Sequence, residues 1–174
     1  MSSNGNGQTG EAAASETSQQ AQFNMIAQYI KDLSFENPNA PMSLQTNGEN
    51  PNIEVSVNVS AQKLDEQIFE VVLEIGVSAN SNDQAIYEIE LAYAGLFRLI
   101  NIPEEALQPV LLIQCPNLIF PFVRRLLVDL TREGGYPPLM IDPINFEELF
   151  RHNMQQSAEE AASEDSANSE GEDG

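Results

Sequence analysis

The sequence has one cysteine, no tryptophan, one histidine and only seven lysines and arginines in 174 residues. Each shortage removes a class of protein. A lone Cys115 builds neither a disulfide framework nor a CxxC metal site, and it suits a reducing compartment. Seven basic residues against 27 acidic ones leave a formal charge of −20, so phosphate backbones and anionic lipid are disfavoured partners. A basic partner is expected, and nucleic acid is not. No uninterrupted apolar run approaches the roughly 18 residues of a bilayer span, and the N-terminus lacks a basic region and an apolar signal core. These absences predict a soluble, cytoplasmic protein without direct membrane insertion. GxGxxG and GxxxxGK[ST] are missing too, so no nucleotide site and no cofactor are expected.

What is present falls into three parts. Residues 1–22 hold Ser, Gln, Asn, Gly and Ala with little to bury, which predicts a disordered N-terminal arm. Residues 157–174 carry acids and no base, which predicts a flexible acidic tail. Between them, residues 23–156 hold every large apolar residue except Met1, enough for one modest core.

The first half of this domain has the period of strands. In NIEVSVNVS, Ile53, Val55, Val57 and Val59 alternate with Glu54, Ser56 and Asn58, so one face is buried and one wet. QIFEVVLEIGVSA and AIYEIELAY repeat the pattern, and turn-rich segments separate the runs. With YIKDLSF as a first strand, a four-stranded antiparallel meander is expected. Asp32, Glu36, Glu70, Glu74, Glu88 and Glu90 would share its wet face, with Lys31 on the other. A field of one sign costs stability, and its density suggests a docking surface for a basic partner.

The second half has the period of helices. Leu118, Phe122, Leu126 and Leu130 form one row and Ile119, Val123 and Leu127 the next, a wider apolar surface than one sheet needs. Gly134 and Gly135 supply a stop, and Pro109, Pro116 and Pro121 should break or kink the path. A second helix begins at NFEELF, with Asn145 and Glu148 spaced as a capping box. Helices after a sheet give an α+β fold.

Little here does chemistry. Cys115 and His152 are the sole candidates for a nucleophile and its base, and no spacing brings them together. Alternating strand acids without histidine are a wet face before they are metal ligands. No catalytic residue and no metal site is assigned, and the chain is expected not to be an enzyme. Without further information, an acidic protein that occupies basic surfaces, like a nucleic-acid mimic, fits as well as a binder of apolar chains.

Three segments resemble the bacterial protein-export chaperone family SecB: KDLSFENPNAP (31–41), EIELAYAGLF (88–97), and CPNLIFPFVRRLLVDLTREGGYPPLMIDPINFEELF (115–150). The resemblance implies a four-stranded antiparallel sheet, then a long kinked helix and a shorter C-terminal one, assembled as a dimer of dimers. It implies an ATP-independent holdase that keeps precursor proteins unfolded and delivers them to the motor SecA. The matching SecA-binding positions are Asp32, Glu36 and Glu90, with Glu88 beside them where relatives carry an apolar residue. The acidic tail would be a second contact, and any zinc there belongs to SecA. The client groove would be walled by Met42 and Leu44 on the crossover after the first strand and by Phe146, Leu149 and Phe150 on the last helix. The chain departs from the pattern in having no tryptophan and no aromatics on that crossover.

Overall fold

The computed structural model describes residues 20–45, 51–82 and 84–169. Most of the expected N-terminal arm therefore lies outside the described residues. Four strands follow the alternation: β1 (Gln22–Glu36), β2 (Asn52–Lys63), β3 (Ile68–Ser81) and β4 (Gln84–Ile100). All pairings are antiparallel, but the order is β1-β4-β3-β2. The expected meander thus holds for β2 to β4 only. β1 lies outside β4, and the chain crosses the sheet to reach β2. Alternation fixes which face a residue takes and carries no information about which strand sits next to it.

β1 is also longer than the YIKDLSF run and is interrupted twice. Its register against β4 slips between Met25 and Ala27 and between Ile30 and Asp32. Ile26 and Lys31 are the extra residues of two bulges. After Glu36 the chain leaves the sheet at Asn37-Pro38, because a proline has no N–H for a ladder, and a short 3₁₀ turn at Met42–Leu44 follows.

One face of the sheet is the core. Val71, Leu73, Ile75 and Val77 on β3 stand opposite Gly95, Tyr93, Leu91 and Ile89 on β4, and all are buried. Against them packs a helical path of α1 (Glu104–Pro109), a wide π turn (Val110–Gln114) and α2 (Cys115–Glu133). The row Ile119, Val123 and Leu127 is fully buried, whereas Leu118 and Phe122 remain exposed. Prolines bend this path without ending it. Pro116 has no N–H to return to the preceding turn, and the Asn117 side chain donates to the Ile113 carbonyl there at 2.8 Å.

By length and composition Glu104–Glu133 would suffice to cross a membrane, with a window hydropathy of 1.5. The apolar-run reading missed this because Gln114, Asn117 and the prolines interrupt the run, while the Leu, Ile, Val and Phe residues around them keep its mean high. In the fold that hydropathy is used to cover the sheet.

Helix α2 ends as the glycines predict. Gly135 takes φ +87, a left-handed conformation that favours glycine, and the Tyr136 N–H donates back to the Thr131 carbonyl at 3.0 Å. Helix α3 (Phe146–Ser169) starts at its expected cap, where Asn145 Oδ1 accepts from the Glu148 N–H at 3.1 Å. It runs beyond residue 156, into the segment whose charge suggested a tail. The alanines and glutamates of SAEEAASE have high helix propensity, and charge alone does not report it. Residues 170–174 lie outside the described residues.

Candidate functional site

The face of the sheet away from the helices is built from cross-strand rows. Glu36 stands directly opposite Glu88, Ser34 opposite Glu90, and Asp32 opposite Ala92. Across β4 the rows continue to Ser78, Gly76 and Glu74 on β3, and then to Glu54, Ser56 and Asn58 on β2. Asp32, Glu36, Glu74, Glu88 and Glu90 are all exposed. Glu54 joins the first row and was missed as a member, although its alternation with Ile53 and Val55 already pointed outward.

Two residues depart from the sequence reading. Glu70 shares this face by parity but is buried; Lys31 Nζ donates to its Oε2 at 2.6 Å, and the Tyr29 hydroxyl donates to Oε1. Lys31 therefore lies on the acidic face and not on the opposite one, and Tyr29 turns outward with it. The bulge is the cause: an inserted residue breaks the two-residue alternation, so Lys31 and Asp32 project to the same side.

The Lys31 ammonium first, and then the Tyr29 hydroxyl, hold the Glu70 carboxyl below its ordinary value of 4.5, against the opposing effect of burial. A depressed folded value means that ionised Glu70 stabilises the fold above about pH 4.5, and that this contribution is lost as pH falls through the lower value. Urea midpoints measured from pH 6 downward should therefore fall less steeply for Glu70→Gln than for the parent. Parallel curves would remove this role for Glu70.

A groove of about 470 Å³ lies at the other edge, between β2 and the loop joining α2 to α3. Its lining includes Ile53, Val55, Leu139, Met140 and Ile144. Ile53 is 39 %, Val55 42 % and Met140 63 % exposed, so the lining faces solvent with apolar side chains. The loop is held at its start by Thr131, whose buried hydroxyl donates to the Leu127 carbonyl at 2.9 Å and accepts from the Leu139 N–H at 3.0 Å. None of these lining residues was singled out from the sequence. The β2 alternation assigned Ile53 and Val55 to the core, because it does not show that β2 is an edge strand that the helix covers only in part.

The expected groove residues separate. Met42 and Leu44 are exposed on the crossover, and Leu44 lies over Gly135 at the opening of the loop. Phe146, by contrast, is 1 % exposed and packs edge-on against Phe120. It is a core residue, and its ring is not a groove wall. Leu149 is half-buried against the same core, and Phe150 is half-buried on α3.

Cys115 is fully buried, and burial pushes its thiol up to about 12, far from the thiolate a nucleophile needs. His152 is exposed on α3. The arrangement offers an exposed acidic plane and an open groove lined mainly by apolar side chains.

Residues 16–157 match the family model described as preprotein translocase subunit SecB. The chain is 50 % identical over 155 residues to the protein-export protein SecB of Bradyrhizobium sp., covering 89 % of this chain and 93 % of the relative. It is also 50 % identical over 161 residues to that of Parvibaculum lavamentivorans, covering 92 % and 91 %. Among solved structures, the SecB-like chaperone of Mycobacterium tuberculosis in complex with an antitoxin peptide shares the fold, with a TM-score of 0.59 and 16 % identity over 70 % of this chain and 90 % of that one. With a family model that matches residues 16–157 and relatives 50 % identical over about nine-tenths of its length, the chain belongs to the SecB family.

Proposed function

We propose that this protein is an ATP-independent holdase that keeps newly made precursor proteins unfolded in the cytoplasm and delivers them to SecA for export. The observation that carries the reading is the open groove of aliphatic side chains beside β2. Unfolded chains expose short apolar segments, and a shallow lining of adaptable groups such as Met140 holds many sequences without side-chain specificity. An acidic mimic of nucleic acid has no use for such a groove.

The acidic plane of Asp32, Glu36, Glu88 and Glu90 is the surface offered to SecA, and the acidic C-terminal segment a second contact. The protein acts by binding, without catalysis and without a cofactor of its own. Two further surfaces support assembly as a homotetramer. β1 exposes Met25, Ile26 and Ile30, and α2 exposes Leu118 and Phe122.

The test is a refolding assay with a slow-folding precursor. The parent protein should delay folding, and Val55→Asp combined with Met140→Asp should raise the concentration needed for half-maximal delay by about tenfold or more, because a client's apolar groups would then meet buried charge. No delay by the parent would favour the acidic-mimic reading. Equal delay by parent and variant would move clients elsewhere on the surface.

A further inference from the structure

Among the described residues, the backbone bonds of the crossover after β1 are local. Ser43 N–H donates to the Asn39 carbonyl at 2.9 Å and Leu44 N–H to the Pro41 carbonyl at 3.1 Å, which shapes the turn but does not place it. Placement comes from Asn39 Nδ2, which donates to the Ala85 carbonyl on β4 at 2.7 Å, and from a polar node at one phenol. The Tyr136 hydroxyl donates to Asn37 Oδ1 at 2.5 Å, lies 2.8 Å from Ser43 Oγ and is 3.2 Å from the Ile86 carbonyl. One hydroxyl thus touches both ends of the crossover turn and the start of β4. Its ring is fixed in turn, with its centroid 4.9 Å from that of Tyr87, which stacks on Phe35 at 6.2 Å. Asn37 Nδ2 reaches the Gly134 carbonyl at 3.4 Å, and Leu44 lies so close to Gly135 that a Cβ there would be 3.0 Å from its Cδ2.

From this geometry we infer that Tyr136 is a positioning residue for client binding. Its hydroxyl clamps Ser43 to the loop that forms the groove wall, so that Met42 and Leu44, on either side of Ser43, are presented as a continuation of the apolar lining from Leu139 to Ile144. The inference rests on the groove reading above and adds a residue that touches no client. A tyrosine in this place serves two purposes: its ring completes the aromatic row in the core, and its hydroxyl leaves the core to hold a surface turn.

The decisive variant is Tyr136→Phe in the full chain, because it keeps the ring and removes only the clamp. Asn37 Oδ1 and Ser43 Oγ are already 3.2 Å apart and retain each other, so the fold should persist with its oligomeric state unchanged and its unfolding midpoint lowered by about 5 °C at most. Hydrogen exchange at the Ser43, Leu44 and Gln45 amides should quicken by about threefold or more, while β3 and β4 stay protected. Affinity for a reduced and alkylated secretory protein should fall by about two- to tenfold, the range one hydrogen bond supports. Ser43→Ala should weaken binding less, because Tyr136 keeps its bond to Asn37 Oδ1, and combining it with Tyr136→Phe should cost less than the sum of the two, since they share the Ser43–Tyr136 contact.

Unchanged exchange at 43–45 in Tyr136→Phe overturns the clamp. Faster exchange with undiminished client affinity overturns the positioning role, and so does full additivity of the two substitutions. If the parent binds no unfolded client, the groove reading itself falls and takes this inference with it; if the parent binds and Tyr136→Phe binds equally, only the assignment to Tyr136 falls.

Discussion

Phe146→Ala is expected to destabilise the fold by about 3–5 kcal/mol, the cost of emptying a fully buried aromatic site. The ring is 1 % exposed, contacts Phe120 edge-on with centroids 5.9 Å apart, and sits at the first residue of α3. Loss of the side chain would leave a void between α2 and α3 that neither helix closes without moving. For a chain of this length, each kcal/mol shifts the melting midpoint by about 2–4 °C, so a fall of about 6–20 °C is expected, measured at fixed protein concentration because assembly contributes to stability. Met140→Ala, at a position 63 % exposed, should change the midpoint little. The pair discriminates two roles for an apolar residue near the groove. A Phe146→Ala protein that melts like the parent but releases clients would return Phe146 to the groove wall.

Replacing Asp32, Glu36, Glu88 and Glu90 together by lysine should weaken SecA binding by at least about a hundredfold at low salt, since like charges set against each other across an interface cost several kcal/mol. All four carboxylates are exposed, so the fold should tolerate the change; the Glu36–Glu88 opposition is exchanged for one between two lysines, like charges in either case. The parent's binding should fall steeply as salt rises past about 0.15 M, where screening acts within about 8 Å, and the variant's residual binding should not. Lysine at Glu104 and Glu105, exposed acids at the start of α1 and off the sheet, serves as the control. A fourfold variant that binds like the parent at moderate salt, or a control that loses as much, would end the assignment of SecA docking to this face.

Faces were legible in the sequence where neighbours were not. The alternation in β3 and β4 sorted most buried residues from wet ones because side chains alternate along an unbroken strand. The same rule failed at Lys31, where an inserted residue resets the count and nothing in YIKDLSF marks the bulge. Strand order was hidden for another reason, because β1 pairs with β4 through contacts between distant parts of the chain. The helix start at Asn145 was visible since capping is local chemistry. The groove was not, because Ile53 and Val55 have the composition of a core strand and become a lining only through the partial coverage of β2. The polar node at Tyr136 likewise joins residues 37, 43, 86 and 136, which no local pattern connects.

The pairing of β1 with β4 also orders events during synthesis. The residues of KDLSFE are made early, but the row they complete, Glu36 against Glu88 and Ser34 against Glu90, does not exist until the last strand has been translated and both have docked. Closing so long a loop is among the slower steps of folding. A nascent or partly folded copy therefore presents its acids singly, on a free segment, and only a finished domain displays them in register. On the proposed reading, the motor meets an acidic plane only on chaperones that have completed their own folding.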